Sequence, residues 1–190
     1  MLGEHSYLDT SDECYFMNQY ECRQRNGIKS LILELKHGNQ SVARSMAEQI
    51  VAVLPAKWRL TFTFVPMPSS SGVANGLTAM VKQMQVRDKR DLILQERKTV
   101  PSHCGWRPAP HERQSIFAIN ELVADPKPTT IVIVDDVLTT GSHSRAAKLI
   151  VRSRWEEARV IGLFLARVCS HWKQHCQSDS ATCRAGIEWT

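Results

Sequence analysis

Residues 129–155, TTIVIVDDVLTTGSHSRAAKLIVRSRW, constrain the fold more than any other part of this chain. They begin with the unbroken apolar run 131–134, pass through a loop that contains Gly141, and continue with small and apolar residues at helical spacing. An unbroken β-branched run is typical of a strand that is buried on both faces, as in the centre of a parallel sheet. A second largely apolar run follows at 158–167, so the sequence predicts a βαβ unit with a right-handed crossover.

The segments before this unit also have recognisable patterns. Residues 28–35 and 41–54 have apolar positions at helical spacing and predict two helices. LTFTFVPMP, residues 60–68, alternates and predicts a strand, followed by a polar turn and a helix from about residue 73 to residue 86. The charged, proline-containing segment 87–115 is typical of a long mobile loop flanked by strands, and a loop of this length usually has a functional reason.

The 190 residues fit one domain, because a chain of this size buries roughly 70% of its unfolded surface without disulfides or metals. We expect the domain to span residues 28–169. Residues 1–27 are interpreted as an N-terminal extension or a hood segment, and residues 170–190 as a C-terminal appendage. The sequence contains no internal repeat and no low-complexity segment.

The net charge and the cysteine pattern limit which partners and which cellular compartment are expected. The formal net charge of +5 favours anionic partners, but the basic residues are dispersed, which is typical of a solvated face or a phosphate-binding site rather than a nucleic-acid arm. The six cysteines form no CxxC pair, the first residues lack the pattern of a signal peptide, and no apolar stretch reaches 18 residues. The sequence therefore predicts a cytoplasmic protein without a membrane segment.

The candidate functional residues are two acids and the glycine-containing loop that follows them. Asp135 and Asp136 follow the buried run, at the edge of a parallel sheet where ligands bind. The next residues, VLTTGS, offer backbone amides, hydroxyls and a helix start, which together suit an anion, and Gly141 permits a close approach. Carboxylates beside an anion site suit a sugar phosphate, because they accept hydrogen bonds from ribose hydroxyls.

Three other interpretations of these acids compete with the phosphate site. A Walker B strand also ends in acids, but its GxxxxGK[ST] partner is missing. A receiver domain would need several more βα units than the remaining chain can supply. A core strand with a polar end is the structural alternative, and VLTTGS makes the phosphate site the better interpretation.

The stretch IVIVDDVLTTGSH resembles the signature of type I phosphoribosyltransferases, and VDDVLTTG is similar to the form in their ComF-like, competence-associated branch. The resemblance extends to LKHGNQSVARSMAEQI, to FVPMPSSS, and to the basic segments around ERKTVPSH and HERQSIFAIN. It covers about residues 28–167. The zinc-binding cysteine cluster that often precedes the ComF-type domain is missing here.

This resemblance implies an α/β protein of the type I phosphoribosyltransferase fold: a mostly parallel central sheet, helices on both faces and a small hood. The implied activity is that of a pentosyltransferase, a class of glycosyltransferase. Such an enzyme uses phosphoribosyl pyrophosphate (PRPP), and a nitrogen nucleophile displaces pyrophosphate at ribose C1. The implied ligands are PRPP, or another ribose 5-phosphate, and Mg²⁺. A homodimer is also implied, while the acceptor base stays open.

The resemblance also assigns roles to individual residues. Asp135 and Asp136 would hold the ribose hydroxyls, and Asp136 would also meet Mg²⁺ through water. The 5′-phosphate would be bound by Leu138, Thr139, Thr140, Gly141, Ser142 and His143.

Two further segments would act on the leaving group. The pyrophosphate loop would contain Ser69, Ser70 and Ser71. Arg97 and Lys98 would be the catalytic residues, since they would come from the flexible loop to neutralise the diphosphate, and Arg113 could assist.

Departures from the family pattern keep other functions open. The pyrophosphate loop offers serines where a basic residue is usual, His143 replaces a hydroxyl, and Thr139 stands where purine-specific members often have an acid. The alternative is therefore a weak or inactive protein of this fold that senses PRPP or nucleotides, or binds a partner in DNA metabolism. Direct binding of single-stranded nucleic acid is a third possibility, which rests on the net charge.

Overall fold

The computed structural model describes residues 7–9, 11–20, 27–69, 76–97, 109–168 and 183–185. Eight strands lie within these residues: β1 (Glu13–Tyr20), β2 (Thr63–Pro66), β3 (Asp88–Lys89), β4 (Ile93–Gln95), β5 (Phe117–Ile119), β6 (Thr130–Leu138), β7 (Arg159–Val168) and β8 (Cys183–Ala185). The α-helices are α1 (Gly27–Lys36), α2 (Gln40–Val53), α3 (Ala56–Thr61), α4 (Gly76–Gln83), α5 (Pro110–Gln114) and α6 (Ser142–Arg154). A short 3-10 helix occupies Glu121–Val123.

Six strands form one sheet in the order β3-β2-β6-β7-β1-β8, and every neighbouring pair is parallel. The apolar residues 131–134 of β6 are completely buried at its centre, as an unbroken run predicts. The β6–α6–β7 unit is confirmed, with Thr130 opposite Arg159 and Leu138 opposite Arg167. The chain is therefore α/β with a parallel central sheet.

Helices cover the sheet in two groups. One group contains α1, α2 and α4, which contact one another, and the other contains α5 and α6. The crossover through α4 leads from β2 to β3, whereas that through α6 leads from β6 to β7, in the opposite direction across the sheet. Right-handed crossovers in opposite directions place their helices on opposite faces, so the two groups enclose the sheet.

The segments upstream of β6 follow the sequence prediction in part. The two early helices are confirmed as α1 and α2, and β4 pairs with β5 in a separate antiparallel ribbon that flanks residues 98–108. The strand predicted from residue 60 was wrong at its beginning, because Leu60 belongs to α3 and is exposed. Pro55, the N-cap of this short helix, has a φ angle that its ring fixes. Trp58 within the helix and Phe62 at its C-cap are both buried in the core.

Each terminal segment contributes a strand to the central sheet. The sequence interpretation had placed residues 1–27 in an N-terminal extension or hood and residues 170–190 in a C-terminal appendage, so β1 and β8 differ from that interpretation. β1 lies between β7 and β8, so it is an interior strand. In the structure, buried Asp12, Cys14 and Phe16 alternate with more exposed residues, but the sequence has no matching polar–apolar alternation, because residues 14–17 are all apolar. β8, from the C-terminal segment, pairs with β1 in parallel.

A buried ion cluster joins the start of β1 to α6. Lys148 Nζ lies 2.6 Å from Asp12 Oδ1 and 3.1 Å from the Ser11 carbonyl oxygen. Arg145 Nη1 donates to both Asp12 oxygens, at 3.0 and 2.9 Å. The Asp12 and Lys148 side chains are only 4% and 8% exposed, so this pair is shielded from water.

In the described ranges, no helix has both the length and the apolar character that crossing a membrane requires.

Candidate functional site

The loop between β6 and α6 ends at a glycine in the left-handed conformation. Gly141 caps α6 with φ 80° and ψ 1°, a left-handed conformation that glycine adopts without steric cost. Arg145 N donates to the Gly141 carbonyl at 2.9 Å, which closes the first turn. The first amides of a helix make no hydrogen bond within the helix, and an anion is favoured at a helix N-terminus. Thr140 and Ser142 are buried in the loop, while Thr139 is exposed.

A segment that we call the N-terminal strap, residues 7–9 and 11–12, lies against this loop. Tyr7 N donates to the Thr140 carbonyl at 3.0 Å. Leu8 packs over Gly141 so closely that a Cβ there would lie 2.7 Å from Leu8 Cδ2. The strap continues to Asp12 and the buried ion cluster, so one end of the loop is enclosed by the chain itself.

Asp135 is the buried member of the acidic pair. Its Oδ1 accepts a hydrogen bond from Asp136 N at 2.8 Å. Burial, and after it the neighbouring Asp136 carboxylate, raise the pKa of Asp135 to a net value of about 8, against the opposing effects of the hydrogen bond from Asp136 N and of Lys36 and Arg113. Asp135 is therefore largely protonated at neutral pH.

Asp136 is more exposed and forms an ion pair with Lys36, whose Nζ lies 2.8 Å from Asp136 Oδ2. Lys36 is the last residue of α1, so the pair joins the end of that helix to the end of β6. Lys36 is not among the site residues that the sequence predicts. The available signal was its place at a helix end before a glycine turn, in a segment that already resembled the family.

Arg113 and His143 form a second contact at the site. Arg113, on α5, is buried, and its Nη1 contacts His143 Nε2. Burial first, and then the Arg113 charge, lower the pKa of His143 to about 4, so the imidazole is neutral at pH 7. Burial also lowers the pKa of Arg113. From the sequence, Arg113 was only a possible contributor to diphosphate binding, because nothing there shows that it reaches the phosphate loop.

The remaining predicted site residues lie in different places. Ser69 follows β2 and is half-buried, and Met67 N donates to the Val134 carbonyl at 2.8 Å, so the chain before Ser69 runs beside β6. The Leu138 side chain is buried with Phe16 and Phe164, and Leu138 pairs with Arg167 at the end of β6. Arg97 is exposed beyond β4. Lys98, Ser70 and Ser71 lie outside the described residues.

The structure thus brings Asp135, Asp136 and the 138–143 loop together with Lys36 and Arg113. Within the described part of the chain, no group of three or more His, Cys, Asp or Glu side chains could hold a metal ion. Asp136 alone is a partly exposed carboxylate at the loop. A single carboxylate fits the coordination of Mg²⁺, which keeps most of its waters and is shared with ligand phosphates.

Replacing Gly141 with Ala is expected to lower the free energy of unfolding by about 2–3 kcal/mol, because the left-handed backbone and the contact with Leu8 both penalise a Cβ. Gly38 is a matched control, since it also has a positive φ (81°) but has open space around it. Gly38→Ala should lose only about 1 kcal/mol. Urea unfolding of both variants, and of Leu8→Ala/Gly141→Ala, measures the difference. Equal losses in the two single variants would contradict the contact with Leu8.

Comparison with known proteins adds no relative to this description: no family model, no curated protein and no solved structure matches the chain.

Proposed function

We propose that the protein is a PRPP-dependent phosphoribosyltransferase of the type I fold, similar to the ComF-like branch. One observation carries the proposal: two carboxyl groups, Asp135 and Asp136, lie near the end of β6, shortly before a loop that ends at Gly141, the N-cap of α6, at the carboxyl edge of a parallel sheet. Ligands bind at this edge in open α/β sheets. A ribose 5-phosphate matches the arrangement, with its hydroxyls on the carboxyl groups and its phosphate on the loop.

The two carboxyl groups have different states before a ligand binds. Asp136 is an ionised carboxylate held by Lys36, and it accepts hydrogen bonds from ribose hydroxyls. Asp135 is largely protonated, because its pKa is about 8. Its carboxyl group can therefore donate one hydrogen bond and accept another, which suits a hydroxyl pair without placing two negative charges side by side.

Mg²⁺ would enter with the diphosphate and contact Asp136 through water. When bound, the ion neutralises charge on the departing pyrophosphate. The chain's own part in the reaction is electrostatic and geometric. The loop holds the 5′-phosphate, Asp135 and Asp136 hold the ribose, and the site excludes water as positive charge builds at C1. Arg97 and Lys98 are proposed to approach the diphosphate from the segment that follows β4.

In the proposed reaction a nitrogen nucleophile forms a bond to ribose C1 while the bond from C1 to the pyrophosphate oxygen breaks. The electron pair of that bond leaves with pyrophosphate, and the nucleophile loses its proton to solvent or to a basic group. A second subunit is part of the proposal, because related enzymes often complete the site with a loop from the partner.

Calorimetric titration of PRPP, with and without Mg²⁺, tests the proposal. Binding to the wild type should require Mg²⁺, and Asp136→Asn should weaken it at least tenfold, because the ribose loses its charged acceptor. Asp91→Asn is the matched control, since Asp91 forms an exposed pair with Lys82 at 3.1 Å and has no place in the site. Absence of binding to the folded wild type would contradict the proposal.

A second candidate is a sensor of the same fold that binds ribose 5-phosphate ligands without turnover, or a partner-binding protein in DNA metabolism. The observation that favours it is that both cations of the described site already have a side-chain partner: Lys36 contacts Asp136, and Arg113 contacts His143. Less positive charge is then free for a diphosphate. Incubation of labelled PRPP with a panel of nucleobases distinguishes the two candidates, because only an enzyme forms a ribosylated product.

A further inference from the structure

We infer that Arg113 is a positioning residue that holds His143 as the tautomer protonated on Nδ1, so that the imidazole offers an N–H donor to the 5′-phosphate of the ligand. The phosphate part of this inference rests on the proposed function. The tautomer part rests on the contact between α5 and α6 alone. The two parts are therefore tested separately.

The contact has only one chemically consistent assignment of donor and acceptor. The guanidinium group of Arg113 carries N–H donors and no acceptor. Because Arg113 Nη1 meets His143 Nε2, that ring nitrogen must present its lone pair. The proton of the neutral ring then lies on Nδ1, since the hydrogen bond at one ring nitrogen decides which nitrogen is protonated.

Burial and two nearby cations keep the His143 ring neutral, against one opposing carboxylate. Arg113 approaches from α5 and the Phe117 ring lies 6.4 Å away on β5. Asp136 on β6 favours the charged imidazolium, whereas Lys36 at the end of α1 and Arg113 oppose it. Burial adds to the two cations, so His143 stays uncharged over the pH range in which a phosphate ligand is a dianion.

His143 is the second residue of α6, in the first turn, whose backbone amides make no hydrogen bond within the helix. In this first turn, a neutral N–H donor adds one hydrogen bond to a phosphate without requiring protonation. A hydroxyl at this position would be free to rotate, whereas a ring held by Arg113 is fixed before the ligand arrives. Arg113 also follows residues 98–108 closely in the chain, so it links the phosphate loop to the end of that segment.

The tautomer can be read directly from long-range ¹H–¹⁵N spectra of ¹⁵N-histidine-labelled, ligand-free protein, with His143→Gln to assign the signals. We expect Nδ1 of His143 to be protonated and Nε2 to be unprotonated. Arg113→Met should shift the equilibrium toward the Nε2-protonated form, and Arg113→Lys, which retains a donor, should restore the wild-type pattern. Protonated Nε2 in the wild type, or an unchanged spectrum in Arg113→Met, overturns the tautomer assignment.

Ribose 5-phosphate affinity, measured by titration calorimetry on the same proteins, tests the donor role. We expect roughly tenfold weaker binding in Arg113→Met and recovery in Arg113→Lys. His111→Gln, an exposed position on the same helix, is the control for effects on α5 folding. Unchanged affinity in Arg113→Met overturns the donor role. No binding to the wild type, together with the expected tautomer, contradicts the proposed function and the donor role but supports the tautomer assignment.

Discussion

Replacing Asp135 with Asn is expected to raise the thermal unfolding midpoint by roughly 10 °C near pH 9. The stability gain follows from the pKa of Asp135, which rises from 3.8 to about 8 because the carboxyl group is buried beside Asp136. Ionising it in the folded state opposes folding by up to about 6 kcal/mol. Asn keeps the shape and the acceptor for Asp136 N but has no charge to bury.

The gain must depend on pH in a defined direction. Between pH 3.8 and about 8 the folded protein retains a proton that the unfolded chain has lost, so the contribution of Asp135 to stability falls as pH rises. The difference between Asp135→Asn and the wild type should therefore vanish below pH 3.8 and reach its maximum above pH 8. His143 titrates in the opposite sense between about 4 and 6.5, but it is present in both proteins.

Differential scanning calorimetry across this range measures the effect. Asp91→Asn provides the control, because the Asp91 side chain is 45% exposed and pairs with Lys82 at the surface. A difference that stays constant with pH would show that Asp135 is not the group that titrates.

The second large effect is expected for Asp12→Asn, which should lower the free energy of unfolding by about 3–5 kcal/mol. Asp12 is the acceptor for both Lys148 and Arg145, and the Lys148 side chain is only 8% exposed. Removing the negative charge leaves a buried ammonium group with the Ser11 carbonyl as its described acceptor. Lys148→Met in the same protein should recover part of the loss, because it removes the uncompensated charge.

Urea unfolding of Asp12→Asn and Glu13→Gln checks this expectation. Glu13 is the neighbouring acid and pairs with Arg159 at 2.7 Å, but the Arg159 side chain is 54% exposed. An exposed pair is worth less than about 1 kcal/mol, so Glu13→Gln should have a small effect. Similar losses in the two variants would mean that burial of the Asp12 cluster does not determine its strength.

The local part of the site could be predicted from the sequence, but its surroundings could not. β6, the loop and α6 are contiguous, so one stretch of sequence predicts the relative positions of the apolar run, the two acids and Gly141. Lys36 and Arg113 reach the same place from α1 and α5, and no local pattern encodes those contacts. β1 was missed because residues 14–17 are all apolar, so no polar–apolar alternation marks the strand, and because its partner, β7, lies far along the chain.

That separation between β1 and β7 has a consequence for how the protein is made. Glu13, near the start of the chain, lies opposite Ile161 in the finished sheet. A ribosome adds ~5–20 residues per second, so β1 leaves it several seconds before its partner strand exists. During that interval the strand's backbone groups and apolar Phe16 have no native neighbour. Newly made chains therefore depend on slow, non-local strand pairing, and chaperones that shield extended segments should improve the yield of folded protein.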